Sequence, residues 1–200
     1  MILAAGASSR LGEPKQNLEF RGKSLLNHAL SIALETECEF IVVVTGNTDY
    51  NISFPSDNNN NTRVHLFKNT SWQEGIASSI RLGLNYLQTH ASHLKQIIFM
   101  VCDQPYVTSA LLNNLITEKS KTGKMIVACA YQDTIGTPVL FDQVYFEGLS
   151  NLKGDEGAKK IVLHNLHDVA AILFTKGYLD IDTKQDYNLL LKLEGGSDNA

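Results

Sequence analysis

The chain has 200 residues, of which 44% are hydrophobic and 19% charged, with a formal net charge of −4. That length and balance suit one medium-sized α/β domain with a substantial core. The slight negative charge predicts no general attraction to nucleic acid or acidic membrane, and no apolar run reaches the roughly 18 residues of a membrane span.

In chain order, residues 1–5 (MILAA) predict a strand that runs into a loop rich in glycine, serine and basic residues. Residues 23–35 predict a helix with Leu26, Ala29, Leu30 and Ala33 on one face. Strands follow at 40–45 and 64–67, and the polar tract at 56–61 (SDNNNN) between them reads as a flexible surface loop. A helix over 75–87 carries Ile76, Ile80, Leu84 and Leu87 at helical spacing. Next come a strand at 97–102, a helix at 108–119 and strands at 125–130 and 138–141. Short helices at 142–148 and 156–163, a strand at 169–174 and a helix at 184–193 complete the set.

Alternating strands and helices predict β-α-β units and a mostly parallel sheet, and the continuous apolar strands predict cover on both faces. The expected architecture is one α/β domain over residues 1–194, a three-layer α/β/α arrangement around a Rossmann-like sheet, with a disordered tail at 195–200. No basic stretch followed by an apolar one opens the chain, so no secretory signal is expected. Cys38, Cys102 and Cys129 form no Cys-x-x-Cys pair. They read as reduced structural thiols of a cytoplasmic protein.

The loop after the first strand carries the chemistry. Gly6 and Gly12 let the backbone approach an anion, and successive N–H groups of such a loop form an anion-binding concavity. Arg10 and Lys15 add positive charge for phosphates. The spacing is neither the P-loop nor the dinucleotide fingerprint. Ligands in open α/β sheets bind at the carboxyl ends of strands, where Asp103 also emerges. Asp103 reads as a Mg²⁺ ligand or as a cap of the turn before the 108–119 helix, and the basic loop upstream favours the metal. Asp180 and Asp182 share one side of an extended segment, so one or both could reach the metal, while Thr183 and Asp186 form a capping-box pattern compatible with that role. Ser71 and Ser78 suit helix caps, and Trp72 reads as a pocket wall or a core residue. The six histidines match no motif.

The string LAAGASSRLGEPK over residues 3–15 closely resembles the signature of the MobA-like nucleotidyltransferase superfamily. Further matches are SWQEGIASSIRLG at 71–83, CDQP at 102–105, GTPVLF at 136–141, GDEGA at 154–158, DIDT at 180–183 and Asp186-Tyr187. Their order and spacing fit the family from about residue 2 to about residue 192, and the best match is the molybdenum cofactor cytidylyltransferase (MocA-like) branch. Members usually carry several residues before this string, so the resemblance implies a first strand that is short here. It implies that Leu3, Ala4, Ala5, Gly6, Ser8, Ser9, Arg10, Lys15, Gly75, Ser78 and Ser79 bind the nucleotide. Arg10, Lys15 and Asp103 would be catalytic, and Asp103 and Asp182 would hold Mg²⁺. Gln104, Pro105, Gly136, Thr137, Pro138, Gly154, Asp155 and Gly157 would border the acceptor. Guanine users resemble L-A-G-G where this chain has Leu3-Ala4-Ala5-Gly6, which favours cytosine. Two departures stand out: Thr137 where the family often has His, and Lys159 where it often has Arg.

The resemblance implies transfer of CMP from CTP to the terminal phosphate of molybdenum-bearing molybdopterin, with pyrophosphate leaving. The alternatives are guanylyl transfer from GTP, cytidylyl transfer to a sugar or polyol phosphate such as methylerythritol phosphate, and a non-catalytic carrier of the molybdenum cofactor. Expected partners are CTP (or GTP), a molybdopterin-type cofactor, and an apo molybdoenzyme or its chaperone, with neither nucleic acid nor membrane.

Overall fold

The computed structural model describes residues 1–47, 52 and 62–195. The tract at 56–61 and the tail at 196–200 lie outside the described residues; Gly195, expected in the tail, closes the last helix.

In chain order the elements are β1 (Ile2–Ala4), β2 (Glu19–Phe20), β3 (Lys23–Ser24), α1 (Leu25–Leu34), β4 (Ile41–Thr45), β5 (Val64–Lys68), α2 (Ile76–His90) and β6 (Gln96–Val101). Then follow α3 (Ser109–Thr122), β7 (Ile126–Tyr131), β8 (Thr134–Asp142), α4 (Phe146–Ser150), α5 (Ala158–His164), β9 (Val169–Leu173) and α6 (Lys184–Gly195). Local chemistry sets the helix ends. The Ser24 side chain accepts from the Asn27 N–H to start α1, and Thr108 accepts from the Leu111 N–H to start α3. Gly123 closes α3 in the left-handed conformation.

The main sheet has seven strands in the order β5-β4-β1-β6-β8-β7-β9. β8 alone runs antiparallel to its two neighbours, β6 and β7. The structure differs here from the brief strand expected at 138–141. Instead Gln132, at φ 49°, turns the chain into a hairpin, and β8 starts at Thr134. The β2–β3 hairpin was not expected either; Arg21 (φ 50°) and Gly22 (φ 74°) make its turn.

Alternate residues of each central strand supply opposite faces. Ile2, Ala4 and Val43 pack with Leu26, Leu30, Leu112 and Leu115 of α1 and α3. Leu3, Val42 and Val44 pack with Ile80, Leu84, Leu149 and Val162 of α2, α4 and α5. The three-layer α/β/α arrangement and the mostly parallel sheet are thus present. A third cluster joins Leu11, Leu18, Phe20 and Leu25 to Ile181 and Leu190, fastening the DIDT segment and α6 to the loop after β1. Cys102 and Cys129 are buried, and burial raises both thiols, Cys129 to about 12. Among the described residues, no helix is long and apolar enough to cross a membrane.

Candidate active site

β1 sits between β4, which follows it in the chain, and β6, which returns to its other side; their pairing puts Leu3 beside Val101. The gap beyond their carboxyl ends is the topological switch point. A cavity of about 380 Å³ opens there, bordered by Leu3–Ala7, Lys15, Gln16, Trp72, Gly75, Ser79, Asp103 and Asp155 among others.

The β1 loop is folded on itself. The Ser8 carbonyl accepts from the N–H groups of Leu11 and Gly12 at 3.0 and 3.2 Å, and its hydroxyl accepts from the Lys15 N–H at 3.0 Å. Ser9 and Arg10 are on the exposed turn. Lys15 points back into the cleft and bridges two carboxylates, Asp103 and, at 2.8 Å, Asp182. Arg10 Nη2 meets the other Asp182 oxygen at 2.7 Å. Burial would lower the Lys15 ammonium, but Asp103 and Asp182 outweigh it and hold it above the usual lysine range. Burial likewise would raise Asp182, and Lys15 with Arg10 more than reverse that.

Asp182 comes within reach because Ile181 is buried and its N–H donates to the Asp103 carbonyl at 3.0 Å. Its neighbours two apart, Asp180 and Asp182, therefore turn to one side. Burial of the group and then the Asp103 charge push the Asp180 carboxyl up to about 6, although the residue keeps an exposed edge. Thr183 and Asp186 form the expected reciprocal cap, at 2.7 Å from the Thr183 N–H and 3.2 Å from the Asp186 N–H. The cap leaves the Asp182 carboxylate turned toward Lys15 and Arg10.

The carboxylates fit a hard divalent cation. Asp103 Oδ1 is buried without a hydrogen-bond partner among the described residues, and the Lys15 ammonium shows that Asp103 and Asp182 converge where a cation is held. Both carboxylates offer oxygen only, the donor type that hard cations such as Mg²⁺ or Mn²⁺ take. Among the described residues no group of three or more His, Cys, Asp or Glu forms a closed metal cage.

The two serines of α2 part company. Ser79 lines the cavity, whereas Ser78 is turned inward, its hydroxyl donating to the Gly75 carbonyl at 2.8 Å. Asn69, absent from the sequence reading, donates to both hydroxyls at 2.8 and 2.9 Å. Trp72 borders the cavity and belongs to none of the core clusters, so its pocket-wall reading stands. Gln16 was also missed. It is fully buried beneath the loop, and its Nε2 donates to the carbonyls of Ala4 and Gly6 at 2.7 and 3.1 Å.

The remaining sequence candidates form a neighbouring group. Gln104 is buried and donates to the Gly177 carbonyl at 2.9 Å, and the Pro105 carbonyl accepts from His28 Nε2 at 2.9 Å. Gly136, Thr137 and Pro138 lie on β8, where the Tyr131 phenol packs against Gly136, Thr137 and Gln104. Tyr131 had no motif to mark it. Gly154, Asp155 and Gly157 lie instead at the start of α2: the Ala77 N–H donates to the Gly154 carbonyl at 3.1 Å, and Ile76 packs on Gly157.

A family profile described as the MobA-like NTP transferase domain matches residues 1–169. The purine catabolism protein PucB of Bacillus subtilis is 23% identical, with 95% of this chain and 94% of that protein covered. The nicotine blue oxidoreductase of Paenarthrobacter nicotinovorans is 30% identical over 80% of this chain and 78% of its own. Among solved structures, Rv0371c of Mycobacterium tuberculosis H37Rv superposes with a TM-score of 0.75 at 29% identity, covering 96% of this chain and 95% of its own. Its manganese complex superposes at 0.70 with 27% identity, covering 96% of each chain. The chain belongs to the MobA-like NTP transferase family.

Proposed function

We propose that this chain is a Mg²⁺-dependent nucleotidyltransferase of the cytoplasm, acting through one domain over residues 1–194. It transfers CMP from CTP to the terminal phosphate of molybdenum-bearing molybdopterin. The names of its relatives range from purine catabolism to nicotine blue, so this reading rests on the chain's own cleft. The observation that carries it is the Lys15 bridge between Asp103 and Asp182 at the mouth of the β1–β6 crevice.

Leu3, Ala4, Ala5 and Gly6, with Gly75 and Ser79, form the nucleoside end of the cavity. Ala5 narrows that end by one methyl against a glycine, a bias of about 1–3 kcal/mol in favour of cytosine. The loop N–H groups, Ser8, Ser9, Arg10 and Lys15 take the triphosphate. Asp103 and Asp182 would hold Mg²⁺, which supplies charge neutralisation to the phosphates when bound. The acceptor, oriented by Gln104, Pro105 and the Gly136–Thr137–Pro138 stretch, presents a phosphate oxygen to the α-phosphorus. The new P–O bond forms as the α–β bridge breaks, and pyrophosphate leaves with the electron pair. No protein nucleophile takes part; positioning and electrostatic stabilisation supply the rate. Lys15 and Arg10 balance the charge that moves onto the leaving pyrophosphate.

The test is thermal stabilisation by CTP, GTP, ATP and UTP, each with and without Mg²⁺, followed by pyrophosphate release with molybdenum cofactor as acceptor. A Mg²⁺-dependent shift with CTP, then release only when the acceptor is added, supports the reading. A preference for GTP replaces it with guanylyl transfer, and cofactor binding without turnover replaces it with a carrier.

A further inference from the structure

The segment around Asp155 is fastened to the start of α2. Arg81 binds Glu74 through both carboxylate oxygens at 2.8 and 2.6 Å and donates to the Leu152 carbonyl at 2.7 Å. The Ala77 N–H reaches the Gly154 carbonyl at 3.1 Å. Gly75, at φ +118°, permits this closeness: a Cβ there would lie 2.4 Å from the Gly154 carbonyl carbon and oxygen and 2.5 Å from Asp155 Oδ1. The Asp155 carboxylate therefore rests against Gly75, on the wall of the same cavity as Ala4, Ser79 and Trp72. Among the described residues nothing donates a hydrogen bond to it.

A carboxylate in a nucleotide cleft is selective about what it faces. It repels phosphates, which belong at the Lys15 and Arg10 end. It accepts hydrogen bonds and donates none. The pairing edge of cytosine offers one donor group beside two acceptors, a poor match for two carboxylate oxygens. Vicinal hydroxyls match both. We propose that Asp155 is the ribose-reading residue of this cleft, accepting from the 2′- and 3′-hydroxyls of the bound nucleotide. Arg81, through Glu74 and Leu152, is the positioning residue that holds Asp155 there. The inference rests on the nucleotidyltransferase reading and moves Asp155 from the acceptor side of the site to the nucleotide side.

The experiment uses the single tryptophan of the chain, Trp72, as a fluorescent reporter on the cavity wall. CTP, 2′-deoxy-CTP and 2′,3′-dideoxy-CTP are titrated with Mg²⁺ into the wild type and Asp155→Ala. The wild type should bind CTP roughly 10- to 100-fold more tightly than dideoxy-CTP, the range for hydrogen bonds to a charged group. In Asp155→Ala that ratio should fall to about one, whatever common change the lost charge makes to both affinities. Arg81→Met should lower the ratio part of the way. A wild-type ratio near one overturns the inference even where the variants fold poorly. An unchanged ratio in Asp155→Ala, or a variant that alters only acceptor KM, overturns it and leaves the nucleotidyltransferase reading standing. A wild type that binds no nucleotide overturns both.

Discussion

Lys15 Nζ donates to Asp182 Oδ1 at 2.8 Å, joining residues 167 positions apart, and the same ammonium pairs with Asp103. One cation thus ties the loop after β1 to the end of β6 and to the segment before α6. Lys15→Met keeps the length of the stem and removes the charge. Loss of one preorganised charge at a phosphoryl-transfer site costs about 10²–10³ in kcat. Steady-state pyrophosphate release should show that loss, with the melting temperature lowered far less than an unfolded variant would require.

The orphaned Asp103 oxygen makes a second expectation. With CTP at about 100 times its Kd, Mg²⁺ should add about 2.7 kcal/mol of stability, a rise of roughly 5–10 °C in melting temperature for a chain of this size. EDTA should abolish the rise. Asp103→Asn keeps the shape and halves the carboxylate pair, so its melting temperature should respond neither to Mg²⁺ with CTP nor to EDTA. A full Mg²⁺ response in Asp103→Asn would remove it from the metal site.

The legible parts of the site were those encoded next to a strand end. The loop at 6–15 follows β1 directly, and Asp103 follows β6 by two residues, so chain order alone put them at the crevice. Gln16 was not legible, because its partners are the Ala4 and Gly6 carbonyls and no side-chain pattern marks a backbone acceptor. Ser78 and Ser79 looked equivalent in sequence. Only Ser79 borders the cavity, because the Ser78 hydroxyl turns back onto the Gly75 carbonyl. The GDEG stretch was expected at the acceptor, and its fastening beside Gly75 was not legible, because the Arg81 bonds to Glu74 and to the distant Leu152 that hold it there follow no motif. Tyr131 depended on the β7–β8 hairpin, whose turn at Gln132 carries none of the usual glycine or asparagine signals.

Gly75→Ala probes that junction. A methyl group there meets backbone atoms of Gly154 at 2.4 Å, and the φ of +118° already disfavours a side chain. Strain and overpacking of this kind cost about 1–3 kcal/mol each. Together they make about 2–6 kcal/mol, so the melting temperature should fall by roughly 4–24 °C at about 2–4 °C per kcal/mol. Trp72 fluorescence should also show weaker CTP binding, since relief of the clash pushes Gly154 and Asp155 away from the cavity. A variant as stable as the wild type would mean that the junction yields freely.

His28 links the Pro105 turn to acid stability. Its ring is half-buried, stacked edge-on against Phe20 at 4.8 Å between centroids, and Nε2 donates to the Pro105 carbonyl. Burial, assisted by Arg21 and Lys23, lowers its pKa below the ordinary 6.5, and the Pro105 carbonyl and Glu35 only partly oppose this. The unfolded chain then takes up a proton near pH 6.5 that the folded chain still resists. Stability from this group is complete above pH 6.5 and falls as the pH drops through the window below it. His28→Gln keeps a donor for Pro105 and cannot titrate. Urea unfolding at intervals from pH 7.5 to 4.5 should show the wild type losing stability relative to His28→Gln as pH falls below 6.5. Two curves that stay parallel across that range would mean that His28 has the same proton affinity folded and unfolded.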